Sequence, residues 1–381
     1  AGLAGVAWML PVMAVATLAG IYVAARRTGD ILVSTVVTGA AWIAMAGSLS
    51  IRPQVLSFGF AAVTASAWLQ SATDLRPRWW LVPLTWVWAC WHGMWTTGLA
   101  IALVVVVALM WSHRHNLDTI RPLMVVGGLC ILASALTPAG PALWQAPIEV
   151  AGVAGFLEEW QRPSVFSVPT AAAGIMLVTP LILALSRQWR PTFVELALMA
   201  LAAVLVVTSA RTVGLGAATV APVLASALQG LLPEPRRGHS RGQVVTLALG
   251  SALGLAAAAL LAPSAAAGQT GMPVALDAHI SQLPTSTVVC ADAQASSWLL
   301  WSHPDVAPVV DGRFELYRPQ DLEAYLAFEA GGPPTVEFAA RHACTAALLR
   351  RDSPAERALS SDRAWHTIAA RDGWVLLGVA P

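Results

Sequence analysis

The sequence predicts a multi-pass α-helical membrane protein, with about ten transmembrane helices, followed by a small α/β extracytoplasmic domain. Three observations carry this. Hydrophobic residues make up 57% of the 381 positions and charged residues only 11%, whereas a soluble domain carries roughly 25% charged. Residues 1–262 break into apolar runs long enough to cross a bilayer, separated by short polar connections. Beyond a Pro, Ser, Ala and Gly-rich linker at 263–273, residues 274–381 change in composition and alternate strand-like with helix-like patterns.

The expected spans are about 3–25, 31–50, 54–72, 79–95, 94–111, 120–137, 170–186, 192–209, 212–231 and 243–262. Two of them form one continuous run, divided at Trp91-His92-Gly93. A single helix of that length would be about 50 Å long and overshoot the bilayer. Arginine supplies all 22 basic residues, and eleven arginines fall in alternate connections: Arg26, Arg27, Arg76, Arg78, Arg114, Arg121, Arg187, Arg190, Arg236, Arg237 and Arg241. The intervening ends hold only Arg52, Arg162 and Arg211. The positive-inside rule therefore assigns the eleven to the cytoplasm, and the N-terminus, His92, the 137–169 loop and the C-terminal domain to the outside. Trp79, Trp80, Trp91, Trp95, Trp111, Trp144 and Trp160 fall near expected span ends, as interfacial anchors do.

The loop 137–169 interrupts the apolar pattern with five prolines and with Glu149, Glu158, Glu159 and Arg162. A helix over 153–160 would put Val153, Phe156, Leu157 and Trp160 on one face and Glu158 on the other, which suits a short helix lying in the membrane interface. A solvated re-entry loop with an aromatic anchor is the plainer alternative.

In the tail, 287–292, 307–310, 345–349 and 374–379 read as strands, with helical patterns near 294–302, 319–330, 334–342 and 354–361. Cys290 and Cys344 sit in or beside two of these strands. On the outer face of a membrane they would close a disulfide loop worth about 3–5 kcal/mol; two inert buried thiols are the alternative.

A formal net charge of +1 offers no basic patch for nucleic acid. The four cysteines lack metal-ligand spacing, and no Walker, GxSxG, HExxH, CxxC or dinucleotide fingerprint occurs. What remains is a small set of polar groups expected on one side of the membrane. Arg52 and Arg211 stand at outer helix ends, where planar, always-charged guanidinium groups suit a phosphate at the interface; snorkelling to headgroups is the plainer role. His92 offers a neutral imidazole, and Glu158 or Glu159 a carboxylate to act as base, orient a hydroxyl or hold a metal. Neighbouring residues do not face each other on a helix, so the two glutamates are no paired-carboxylate site. Asp311 and Arg313 read first as a tight turn with a local ion pair, at a strand end where a ligand contact is open.

Ile51-Arg52-Pro53-Gln54, Trp88-Ala89-Cys90-Trp91-His92-Gly93, Thr137-Pro138-Ala139-Gly140, Glu159-Trp160, Ala210-Arg211-Thr212 with Ala221-Pro222, and Val310-Asp311-Gly312-Arg313-Phe314-Glu315-Leu316-Tyr317 follow one another in that order. In these stretches the chain resembles bacterial multi-pass glycosyltransferases of the GT-C type (RgtA/B/C/D-like) with a C-terminal extracytoplasmic domain. The resemblance implies a bacterial cytoplasmic membrane protein that transfers a sugar from a polyprenyl-phosphate donor to an envelope glycan or protein acceptor. It implies that Arg52 or Arg211 binds the carrier phosphate, that His92 and the 137–169 loop flank the acceptor, and it leaves a divalent metal cofactor open. Cys90-Trp91 and Thr212 stand where the family pattern expects asparagine. The family also places its catalytic acid in the loop after a first helix, so a preceding helix and acidic outer loop are expected ahead of Ala1. The competing expectation is a non-enzymatic membrane scaffold or lipid-linked-glycan transporter whose outer domain binds a partner.

Overall fold

The computed structural model describes residues 2–232, 241–267 and 271–379. Outside that description lie the expected inner arginines Arg236 and Arg237 and the side chains of Glu158, Arg241 and Ala267. The chain forms two compact units, Ala1–Ile148 with Glu158–Ala267, and Glu149–Leu157 with Gly268–Pro381.

The first unit is helical. Its helices are α1 (Gly2–Arg26), α2 (Ile31–Met45), α3 (Gln54–Asp74), α4 (Leu81–Trp91), α5 (Trp95–Ser112) and α6 (Arg121–Ala135). After α7 (Ala146–Val153), which runs into the second unit, come α8 (Val168–Leu185), α9 (Phe193–Thr208), α10 (Val213–Gln229) and α11 (Arg241–Ala267). A helix stands at each expected span, and among the described residues eight are long and apolar enough to cross a membrane. The exceptions are α4 and α9. With 11 residues, α4 is about 16 Å long, half the hydrocarbon thickness, so the expected span at 79–95 is too long. It ends because His92 takes an extended backbone, φ −160° and ψ 144°.

Sequence chemistry sets the helix ends. Asp30 caps α2 and Ser167 caps α8 through backbone N–H groups three residues on. Thr192 and Glu195 form a reciprocal capping box on α9, which accounts for a carboxylate at the end of an apolar run. The linker expected from residue 263 is displaced: α11 continues through Pro263 to Ala267. Neighbouring groups re-satisfy the backbone around proline in such apolar helices.

Helices α3 and α10 are the most enclosed, with 14 of 21 and 15 of 17 residues buried, whereas among the described side chains of α11 only Ala262 is. Small residues permit this close approach. A Cβ on Gly59 would stand 3.1 Å from the Thr17 Cα, and one on Gly216 2.7 Å from the Ala202 carbonyl oxygen. The Thr17 hydroxyl donates to the Val55 carbonyl at 2.7 Å in that contact.

The second unit is a three-layer α/β sandwich. Its sheet has the order β2-β1-β3-β5-β4, with β1 (Val288–Ala291), β2 (Ala307–Pro308), β3 (Ala346–Arg350), β4 (Trp365–Arg371) and β5 (Trp374–Val379). The first three strands are parallel and β5 is antiparallel to both neighbours. Alternate strand residues feed opposite faces. Cys290, Ala347, Leu349, Val375 and Leu377 meet α14 (Pro319–Ala330), α15 (Pro333–Arg341) and α16 (Pro354–Ser360) on one side. Val289, Ala291, Leu348 and Leu376 meet α12 (Asp277–Ile280) and α13 (Ala293–Ser302) on the other. A disulfide joins Cys290 to Cys344.

The 153–160 stretch corrects the sequence reading. It is not one helix: α7 ends at Val153, and two single 3-10 turns, Ala154–Phe156 and Glu158–Trp160, follow. Val153 and Phe156 belong to the core of the α/β unit, not to a membrane-facing stripe. Two glycines, Gly152 and Gly155, flank the break and weaken helix propagation there.

Candidate functional site

Four chain segments deliver polar groups to one end of the helical unit. Arg52 precedes α3, His92 links α4 to α5, Glu159 and Trp160 form the 3-10 turn Glu158–Trp160, and Arg211 lies in the 3-10 turn Ala210–Thr212 before α10. The two turns are tied by the Ala210 N–H, which donates to the Gln161 carbonyl at 3.0 Å.

Glu159 is the hub. Its Oε2 accepts from Arg52 Nη1 at 2.5 Å and its Oε1 accepts from Arg211 Nη1. The Arg211 guanidinium lies over the Trp160 ring, 5.4 Å from its centroid, a cation–π geometry. Its Nη2 reaches His92 Nε2 at 3.2 Å. Arg211 and Glu159 are 19% and 29% exposed and Arg52 55%, so Arg211 is the enclosed member and Arg52 the one facing outward.

His92 is held neutral. It lies beyond the last residue of α4, where burial first and the Arg211 charge second lower its pKa to about 4. A guanidinium has only donors, so Nε2 must accept and the imidazole proton belongs on Nδ1. Nδ1 is 3.3 Å from both the Ser57 hydroxyl and the Met94 N–H. The Met94 N–H is aimed at Nδ1; assigning the proton there takes the full charge of Arg211 to outweigh that long backbone contact and makes Ser57 Oγ its acceptor. Trp88 Nε1 donates to the same oxygen at 3.0 Å, and Trp91 Nε1 to the Pro53 carbonyl at 2.9 Å.

Two arginines, one glutamate and a neutral histidine leave a formal charge of +1. The Trp160 Nε1–H is buried and has no partner among the described residues. Beside Arg52, an apolar recess of about 240 Å³ is lined by Val6, Met9, Met13, Ile51, Pro53 and Trp91. Chemically, the cluster offers a cationic edge with an apolar recess beside Arg52.

Glu159 and His92, proposed from sequence as catalytic groups, are both committed to orienting arginine: the carboxylate shares its oxygens between two guanidinium groups and the imidazole spends its lone pair on one. Glu158, the other catalytic candidate, lies outside the described side chains. Asp311 and Arg313 belong to the α/β unit, not to the helical unit that carries this cluster. There the buried Asp311 carboxylate accepts from Arg313 Nε at 3.0 Å, Arg313 Nη2 at 2.6 Å and the Tyr317 hydroxyl at 3.2 Å. Hydrogen bonds from Arg313 hold its pKa below the usual carboxylate range. Among the described residues no three His, Cys, Asp or Glu side chains form a metal-binding group.

Ser57 and Trp88 were missed in the sequence. Trp88 and His92 are four residues apart, a spacing that would share a face in a continuous helix and was the available signal, although His92 lies just past the end of α4. Trp95, expected as an interfacial anchor, is instead fully buried, edge-on to Trp144 at 5.0 Å. Set against known proteins, the chain matches no family model and no curated sequence.

Proposed function

We propose that the cluster binds the phosphate of a polyprenyl-phosphate carrier, and that the chain is a GT-C-like glycosyltransferase that passes the carried sugar to an envelope acceptor outside the cytoplasmic membrane. The observation that carries this is Arg211, fixed by Glu159, His92 and Trp160 and left beside a second, outward-facing arginine. A phosphate takes charge-assisted bonds from the guanidinium N–H groups that these contacts leave free. The recess at Arg52 accepts the first carbons of the lipid. The Cys290–Cys344 disulfide fits an α/β unit facing an oxidising compartment, and so the outer side.

One observation favours the second reading, a carrier-lipid-binding scaffold or transporter without chemistry. General-base catalysis needs a carboxylate free to take a proton, and the described carboxylate of the cluster is held by two arginines. Transfer separates the two. The protein expressed from its whole reading frame, in proteoliposomes with a radiolabelled polyprenyl-phosphate hexose and envelope extract, is expected to move label into the extract. Retention of labelled lipid without transfer would reject the enzyme and leave the scaffold.

A further inference from the structure

The opposite end of the helical unit holds a cavity that the proposed function does not use. It has a volume of about 960 Å³ and lies among the C-terminal turns of α1, α3, α5 and α10 and the first turn of α9. The site at Arg211 lies at the other ends of α3, α5 and α10, roughly 30 Å away along the 21 residues of α3.

The cavity's ionisable residues are Arg26, Arg27, Asp74, Arg78, His113 and Glu195. Most are already matched. Asp74 takes both arms of Arg78, at 2.5 and 2.7 Å. Glu195 accepts from the Thr192 N–H at 2.7 Å, its hydroxyl at 2.9 Å and the Ser226 hydroxyl at 3.1 Å. What remains is cationic. Arg26 donates one N–H to the Gly29 carbonyl at 2.6 Å, but its Nε is buried and has no acceptor among the described residues. Arg27 is exposed and its side chain has no partner among them either.

Four helix C-termini carry partial negative charge here and favour arginine nearby. They do not account for a guanidinium N–H buried without an acceptor beside empty volume, since an unmade bond to a charged group costs more than its mean worth. Among the described residues of the lining, three arginines stand against two carboxylates. Val23, Leu69, Leu109 and Val194 make part of the wall apolar.

We propose that this cavity is a second ligand site, which binds a phosphoryl group through Arg26 and Arg27 and lays attached carbon against the apolar wall. An anionic phospholipid and a soluble phosphate ester share that chemistry; the apolar wall favours the lipid. The site is independent of the carrier-phosphate reading, because it shares no residue with it.

The test is native mass spectrometry of the detergent-solubilised full chain titrated with phosphatidylglycerol, repeated with glycerol 3-phosphate as competitor. Arg27→Gln removes an exposed, unpartnered side chain and leaves folding intact; Arg26→Gln removes the buried donor; Arg114→Gln, bonded instead to the Trp111 carbonyl, is the control. Phosphatidylglycerol binding is expected to weaken at least fivefold in both cavity variants and less than twofold in the control. Displacement by equimolar glycerol 3-phosphate would assign the site to soluble esters, and its failure to displace would assign it to lipid. Wild-type affinity in both cavity variants, or an equal loss in the control, would overturn the proposal.

Discussion

Arg211 shows how one side chain is set by its neighbours. A carboxylate holds one nitrogen, an imidazole holds another, and an indole face carries the plane. Lysine keeps the charge but has neither fork nor plane, so Arg211→Lys is expected to retain only part of any phosphate affinity, measured by lipid titration. His92 gives a pH dependence with a defined sign. Its pKa is about 4 in the fold against roughly 6.5 unfolded, so the unfolded chain binds the extra proton between those values. Thermal stability of the helical unit should therefore fall as pH drops from about 6.5 towards 4. His92→Gln should flatten that slope, and an unchanged slope would show that other groups set it. Asp311 behaves as a depressed carboxylate: its stabilisation is present above its unfolded pKa of about 3.9 and is lost as pH falls through the lower folded value. In melts of the α/β unit, the gap between wild type and Asp311→Asn should close in that acid range.

Among elements, close helix contact makes α9 and α10 sensitive to single methyl groups. A Cβ on Gly216 would meet Val206 Cγ2 at 2.6 Å and the Ala202 carbonyl at 2.7 Å. Gly216→Ala should cost about 1–3 kcal/mol, read as a lowered Tm in detergent. Gly128→Ala in α6, where a Cβ meets nothing within 4 Å, should be neutral or slightly stabilising. Helix positions were legible because long apolar runs leave few alternatives. Four of the five strands were legible from short β-rich runs, but β4 was not. It is an edge strand, mostly exposed, with a register shift between Thr367 and Ala369, and its polar residues hide the period of two. The 153–160 stretch misled for a different reason: its apolar face is real, but Val153 and Phe156 spend it on the α/β core, and periodicity cannot say which surface an apolar face will meet.

For the whole molecule, the alternation of arginines along the chain corresponds to two ends of the helical unit. Arg52 and Arg211 meet at one, while Arg26, Arg27 and Arg78 line a cavity at the other. Their convergence was not readable from spacing, since Arg52 and Glu159 are 107 residues apart and His92 and Arg211 are 119 apart. What was readable was scarcity: within residues 1–262 few ionisable groups were assigned to the outer side, and several of those few found one another. Sidedness is testable by labelling. With the exposed Cys90 replaced by Ala, Ser281→Cys on the α/β unit should react with a membrane-impermeant maleimide in intact spheroplasts. Reaction only after lysis would place the unit inside and remove the oxidising compartment that the disulfide fits.

The central claim, that the Arg52–Glu159–Arg211–His92 cluster is a carrier-phosphate site, is tested most directly by the Kd of polyprenyl phosphate for the full chain in nanodiscs, wild type beside Arg211→Ala. Loss of the enclosed guanidinium should weaken binding by tenfold or more, about 1.4 kcal/mol or above, as expected for a charge-assisted hydrogen bond, with the nanodisc-embedded variant still folded by its melt. Equal Kd values in the two folded proteins would contradict it and leave Arg211 a structural partner of Glu159.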